Sequence, residues 1–175
     1  MSLNFLFNDI ATAEIDIDSN QLISCIENIN NNEIKFEKVF YRKHLTMYIP
    51  SENNENDSYD VKLIKETISN KISPLIYQFA NLINIKSIEK RKNITVSKLQ
   101  PGDDCELHVD EEQAIYCDLY LNNNFDGGEL VFPNLNITIK PHPGLLIIYK
   151  PYHSHLVNMV YNSDRYCFGL DYHIL

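Results

Sequence analysis

The sequence predicts a mainly β protein with flanking helices, its second half an antiparallel sandwich or jelly roll. Three observations lead there. From Asn93 onward, eight short alternating runs fall within about 80 residues, each bounded by turn residues. All five glycines and five of the seven prolines stand at or beyond Pro101, so the turn formers are concentrated in that half. Before residue 90 the apolar spacing is three and four, the spacing of helices.

Each element follows in order. "AEIDID" alternates as a strand should. A helix is expected from Ser19 through "SNQLISCIENIN", over 19–30, with Asp18 or Ser19 able to cap it. The polar tract "SENNENDSYD", residues 51–60, reads as a loop. A long helix over 59–84 follows, because Val61, Ile64, Ile68, Ile72, Leu75, Phe79 and Leu82 form one apolar stripe, and Pro74 should kink or divide it. That stripe is expected to pack against the outer face of the sheet. The eight runs are "ITVSKL", "CELHVD", "AIYCDLYL", "ELVF", "NITIK", "GLLIIYK", "HLVNMV" and "RYCFGLDYHI". Without a repeat or a linker, the expectation is one domain over 1–175, with 1–92 a helix-rich support and 93–175 the jelly-roll core.

A net charge of -9 and a pI near 5.0 exclude a nucleic-acid backbone or an anionic membrane as the main partner, since both attract Lys/Arg-rich surfaces. Cys25, Cys105, Cys117 and Cys167 are widely separated and form no CxxC pair, so reduced and mostly buried thiols are expected. "MSLNFLFNDI" lacks the basic start of a secretory signal, and no apolar run approaches the ~20 residues that span a bilayer, so a cytoplasmic protein is expected.

"ELHVDEEQ" sets His108 and Asp110 two apart, which on a strand places imidazole and carboxylate on one side. Two histidines and one carboxylate form a facial triad that leaves open positions on ferrous iron. His153 and His155, in "HSHLVNMVYNSDRY", are both candidates for the third ligand.

Four parts in one order, spanning roughly residues 93–172, resemble the Fe(II)- and 2-oxoglutarate-dependent dioxygenases, of the prolyl 4-hydroxylase type. They are "PGDD" at 101–104, "HVD" at 108–110, "YLNNNFDGGEL" at 120–130 and "HLVNMVYNSDRY" at 155–166. The resemblance implies a double-stranded β-helix (jelly roll, cupin-like) and an iron site of His108, Asp110 and His155. His155 is singled out because the family's basic residue, here Arg165, follows the distal histidine by ten. His153 then lies beside the site or at the surface.

By the same resemblance Arg165 pairs with the far carboxylate of 2-oxoglutarate, for which a guanidinium fork is suited. Tyr120 is similar to a tyrosine that assists that pair, and Gln100 stands near a family contact to the chelating end. The implied cofactors are Fe(II), the co-substrate 2-oxoglutarate and dioxygen, with room for ascorbate as an accessory reductant. The implied substrate is a prolyl, other peptidyl or free amino-acid C–H bond. Substrate contacts are expected from the loop 51–60, the segment after Asp110 and the strand ends near Phe125; the acidic loop favours a neutral or basic partner.

Plainer readings stand beside these. Arg165 could pair at the surface with Asp164 or Asp171, worth under about 1 kcal/mol. Tyr120 shares a face with Tyr116 and Asp118 and could be an ordinary cross-strand aromatic. Gly127 and Gly128 could simply make a tight turn. Two other function classes remain open. One is a non-catalytic small-molecule-binding jelly roll. The other is a zinc hydrolase on the same ligands, with Glu111 or Glu112 as base.

Overall fold

The computed structural model describes residues 2–38, 43–110 and 114–175. A hairpin of β1 (Asn4–Phe7) and β2 (Ile10–Glu14) leads into helix α1 (Ser19–Asn32), whose first turn is capped by Asp18 accepting from Gln21 N at 2.9 Å. Strands β3 (Glu37–Lys38) and β4 (Leu45–Pro50) come next. Helix α2 (Tyr59–Thr67), capped by Ser58, runs through a π-helical turn, Ile68–Ile72, into α3 (Ser73–Leu82). Pro74 stands in the first turn of α3, directly after the π-helical turn, so the long helix changes its winding there.

The remaining strands are β5 (Ile88–Lys90), β6 (Asn93–Leu99), β7 (Cys105–His108), β8 (Ala114–Tyr120), β9 (Asp126–Gly127), β10 (Leu130–Phe132), β11 (Ile137–Ile139), β12 (Leu145–Tyr149), β13 (His155–Val157), β14 (Val160–Tyr161) and β15 (Arg165–Ile174). All eight runs expected after Asn93 are strands. The described strands form a large sheet of order β1-β2-β12-β8-β15-β6-β4-β3 with β5 on β15, a smaller sheet β11-β10-β13-β7, and a β9–β14 ribbon, all antiparallel.

Alternation along the large sheet makes two cores. Outward-facing Met47, Val96, Ile115, Leu119, Ile148, Phe168, Leu170 and Tyr172 join the apolar stripes of α1, α2 and α3. The helices therefore cover the outer face, as the three-and-four spacing implied. Inward residues of the same strands, with Leu130, Phe132 and Ile139 of the smaller sheet, line the space between the sheets. Lys98 ties α1 to β6 through Glu27 at 3.0 Å and also reaches Asp164 at 3.2 Å.

The first half is richer in strands than its spacing suggested. β2 is Ile10–Glu14, so only the first two residues of "AEIDID" are strand, and β1, β3, β4 and β5 carry no readable signal. β1 is exposed at all four positions, and β4 has Met47 and Ile49 on one side with Tyr48 on the other. A strand without a polar face shows no apolar–polar alternation, and only its pairing reveals it. The four cysteines are free thiols, three of them buried. No helix among the described residues is long and apolar enough to cross a membrane.

Candidate metal centre

β7 and β13 are neighbours in the smaller sheet, and their register sets His155 directly opposite His108. Asp110 lies just past the end of β7, its N–H donating to Pro151 O at 3.2 Å. The three side chains converge: one ligand atom from each of His108, Asp110 and His155 lies within 4.8 Å of the others. Nε2 of His108 is 3.6 Å from Asp110 Oδ1, and Nε2 of His155 is 3.4 Å from Asp110 Oδ2.

Hydrogen bonds on the far sides of the two rings decide which nitrogens face inward. His108 Nδ1 donates to Glu106 O at 2.7 Å, and His155 Nδ1 donates to His153 O at 2.9 Å. Each bond places the proton on Nδ1 and leaves the Nε2 lone pair toward Asp110, the tautomer a metal ion requires. Two imidazoles and a carboxylate suit a divalent first-row ion, and the donor set fits ferrous iron. His108 is pushed up to about 9, first by its contact with the Cys105 sulfur 3.8 Å from Nδ1. Metal binding there competes with a proton.

His153 is the histidine that does not converge. Its ring turns away to Asp9, with Nε2 2.8 Å from Oδ1. Its contribution to the centre is the backbone carbonyl that holds His155.

From the ligands the interior runs along β8, where Tyr116, Asp118 and Tyr120 all face inward. Tyr149 meets the His155 ring edge-on at 5.3 Å and stacks on Tyr116 at 6.3 Å. At the far end, the Arg165 guanidinium lies over the Tyr120 ring, 4.8 Å from its centroid. Both residues are buried, Arg165 at 4 % exposure and Tyr120 at 0 %. Neither Arg165 Nε nor the Tyr120 hydroxyl makes a hydrogen bond among the described residues. The acids that a surface reading would give to Arg165 are engaged elsewhere: Asp164 with Lys98 at 3.2 Å and Asp171 with Arg91 at 3.0 Å. The buried guanidinium thus keeps Nε as a spare donor, with the Asp118 carboxylate as an opposite charge in the same chamber.

The parts that Asp118, Tyr149 and Gly128 play in the chamber were not read from the sequence. Asp118 sits mid-floor between the two ends, accepting from Tyr149 OH at 3.4 Å and Cys167 Sγ at 3.6 Å. Burial raises its pKa, against the opposing pull of Arg165. Burial also pushes the Tyr149 and Tyr120 hydroxyls well above their ordinary range, so both stay protonated donors. Gly128 is the third. At φ +69 it occupies left-handed backbone, and a Cβ there would stand 2.8 Å from the Phe125 ring and 3.0 Å from Arg165 Cδ. The glycine pair is thus more than a turn, since Gly128 leaves the space through which Arg165 reaches inward.

One expectation needs correction. Gln100 is exposed just ahead of the 101–104 turn, its backbone N–H donating to Asp103 Oδ2 at 2.9 Å, rather than buried beside the metal ligands. Phe125, at 9 % exposure, packs with Leu99 and Val160. The loop after β4 lies near the β5–β6 connection, with Ser51 N donating to Lys92 O at 2.6 Å. Glu111 and Glu112, and with them the segment after Asp110, fall outside the described residues.

No family model matches this sequence, and no curated protein matches it. Solved structures do match. A prolyl hydroxylase from Trichoplax adhaerens, in complex with a hypoxia inducible factor oxygen degradation domain peptide fragment, is similar at 18% identity and TM-score 0.74, covering 95% of this chain and 84% of that one. The viral collagen prolyl hydroxylase of Paramecium Bursaria Chlorella virus-1, as its 2OG complex, is similar at 13% identity and TM-score 0.68, covering 95% and 96%. A Pseudomonas putida prolyl-4-hydroxylase is similar at 12% identity and TM-score 0.67, covering 96% and 94%. Across nearly its whole length, the chain therefore has the double-stranded β-helix fold of these prolyl hydroxylases.

Proposed function

We propose that this protein is an Fe(II)- and 2-oxoglutarate-dependent dioxygenase that hydroxylates an unactivated C–H bond of a prolyl, other peptidyl or amino-acid substrate. One observation carries the reading: the three convergent ligands and the buried, underemployed Arg165 open onto the same interior. His108, Asp110 and His155 would hold ferrous iron, leaving positions for a bidentate co-substrate and dioxygen. Bound there, the iron supplies the redox chemistry that couples oxidative decarboxylation of 2-oxoglutarate to hydroxylation of the substrate.

The chain's own groups bind and orient. Arg165 receives the far carboxylate of the co-substrate through its fork, with the Tyr120 hydroxyl as a further donor. Tyr149 and Phe132 flank His155 and keep water from its ring, the Phe132 ring lying 5.7 Å from it. No side chain has to act as a general base. A cleft of about 450 Å³ includes Tyr48, Thr95, Arg91, Asp171 and His173. Thr95, Asp171 and Tyr48 lie on the sheet face that carries Arg165, by strand alternation and register. A hydrolase leaves Arg165 without a use, and a passive binding barrel leaves the three convergent ligands without one.

The test is succinate formation from 2-oxoglutarate by protein supplied with Fe(II) and air, with and without candidate proline-containing peptides and amino acids, and with and without ascorbate. The proposal expects succinate that depends on Fe(II) and rises with the right substrate. Binding of 2-oxoglutarate without turnover would favour the passive barrel.

A further inference from the structure

We propose that Asp9, at the tip of the N-terminal β1–β2 hairpin, is a positioning residue for the metal centre, acting through the turn 150–153. This rests on the metal-centre reading above. Asp9 is a carboxylate of 8 % exposure and makes three bonds to that short turn. Its Oδ1 is 2.8 Å from His153 Nε2, its Oδ2 accepts from the Tyr152 hydroxyl, and its backbone carbonyl accepts from Lys150 N at 3.1 Å. Phe7 and Phe132 hold the His153 ring from its sides, edge-on at 5.9 and 6.4 Å.

The same turn orients two of the three ligands by its carbonyls. Pro151 O accepts from the backbone N–H of Asp110 at 3.2 Å, and His153 O accepts from His155 Nδ1 at 2.9 Å. The turn belongs to no helix or strand, so no ladder fixes where those carbonyls point. The side-chain bonds to Asp9 supply that constraint. Groups that orient a metal-binding imidazole commonly govern metal affinity although they never touch the metal. Here the group comes from a hairpin ninety-nine positions before the first ligand, outside the strands that carry the ligands.

The experiment compares Asp9→Ala, Asp9→Asn, His153→Phe and the Asp9→Ala/His153→Phe double variant with wild type. Co(II) serves as the probe, with binding and ligand field read from its visible d–d bands; metal-free stability is read by thermal melting in chelator. His155→Ala is the zero-binding control. Asp9→Ala should weaken Co(II) binding by about 10- to 100-fold and alter the d–d envelope. His153→Phe, which keeps the Tyr152 bond to Asp9, should lose part of that affinity, the double variant should be no worse than Asp9→Ala alone, and Asp9→Asn, which keeps an acceptor oxygen, should lose less than Asp9→Ala. If Asp9→Ala does not fold, the other two single variants carry the same comparison. Wild-type Co(II) affinity and spectrum in folded variants, even with a lowered melting temperature, would overturn the proposal and make the hairpin a structural brace. A wild-type protein that binds no Co(II) would overturn the metal-centre reading itself, and this inference with it.

Discussion

Successive residues of β15 serve opposite purposes. Tyr166, Phe168, Leu170 and Tyr172 turn outward into the helix-covered core, whereas Arg165, Cys167 and Asp171 turn inward toward the chamber. The outer face is apolar and close-packed, so its worth is stability, about 25 cal/mol per Å² of apolar surface removed from water. The inner face carries a cation, a carboxylate and tyrosine hydroxyls, each costly to bury and useful only with a partner. The alternation of a strand thus divides one segment between folding and chemistry, and the two faces should fail in different ways.

The largest expected effect is on the inner side. His108→Ala, Asp110→Ala and His155→Ala should each abolish tight Fe(II) or Co(II) binding, while the metal-free melting temperature stays within a few degrees of wild type. On the outer side, Phe168→Ala should cost about 3–5 kcal/mol, read as a lower midpoint in denaturant, and leave one metal bound per folded chain. Metal loss in Phe168→Ala at temperatures where it is folded would break the comparison.

Arg165→Ala should weaken 2-oxoglutarate by roughly 2–5 kcal/mol in anaerobic titrations of metal-loaded protein, with metal affinity nearly unchanged. Arg165→Lys should fall between, keeping charge but losing the fork, and Tyr120→Phe should shift affinity less in the same direction. Gly128→Ala should lower 2-oxoglutarate affinity several-fold and also lower the melting temperature, since its Cβ strains left-handed backbone and crowds Arg165 Cδ.

The smallest effect has the opposite sign. Asp118→Asn removes a like charge from the path of a dicarboxylate and should tighten 2-oxoglutarate modestly. It should also raise the metal-free melting temperature at neutral pH. Burial raises the folded-state pKa of Asp118 above its unfolded value, so folding favours the protonated acid and the ionised acid costs stability. The advantage of Asn should therefore shrink as pH falls into the ordinary carboxylate range. A constant difference across that range would mean that Asp118 titrates normally.

What was legible in the sequence follows the same division. The helix stripe from Val61 to Phe79 was readable from its spacing of three and four, and the eight runs after Asn93 from their short length between turn residues, even where both faces are buried as in β12. β1, β3, β4 and β5 were not, since their pairing partners make them strands. At the centre, the spacing of two put His108 and Asp110 on one side of a strand, and the resemblance alone singled out Arg165. The choice of His155 over His153 came from resemblance; the structure adds the reason, a ring facing Asp110 in one case and Asp9 in the other. Asp118 was visible only as a member of a strand face, and the roles of Gly128 and Asp9 arise from contacts between segments far apart in sequence.

The central claim is that one interior holds ferrous iron at one end and the far carboxylate of 2-oxoglutarate at the other. Anaerobic addition of 2-oxoglutarate to the Fe(II)-loaded protein tests it most directly, followed by the visible charge-transfer absorption of the chelate. In wild type the band should grow to saturation at one equivalent; in Arg165→Ala it should need a much higher 2-oxoglutarate concentration, and in His155→Ala it should be absent. No band in wild type that demonstrably holds Fe(II), or equal affinity in wild type and Arg165→Ala, would contradict it.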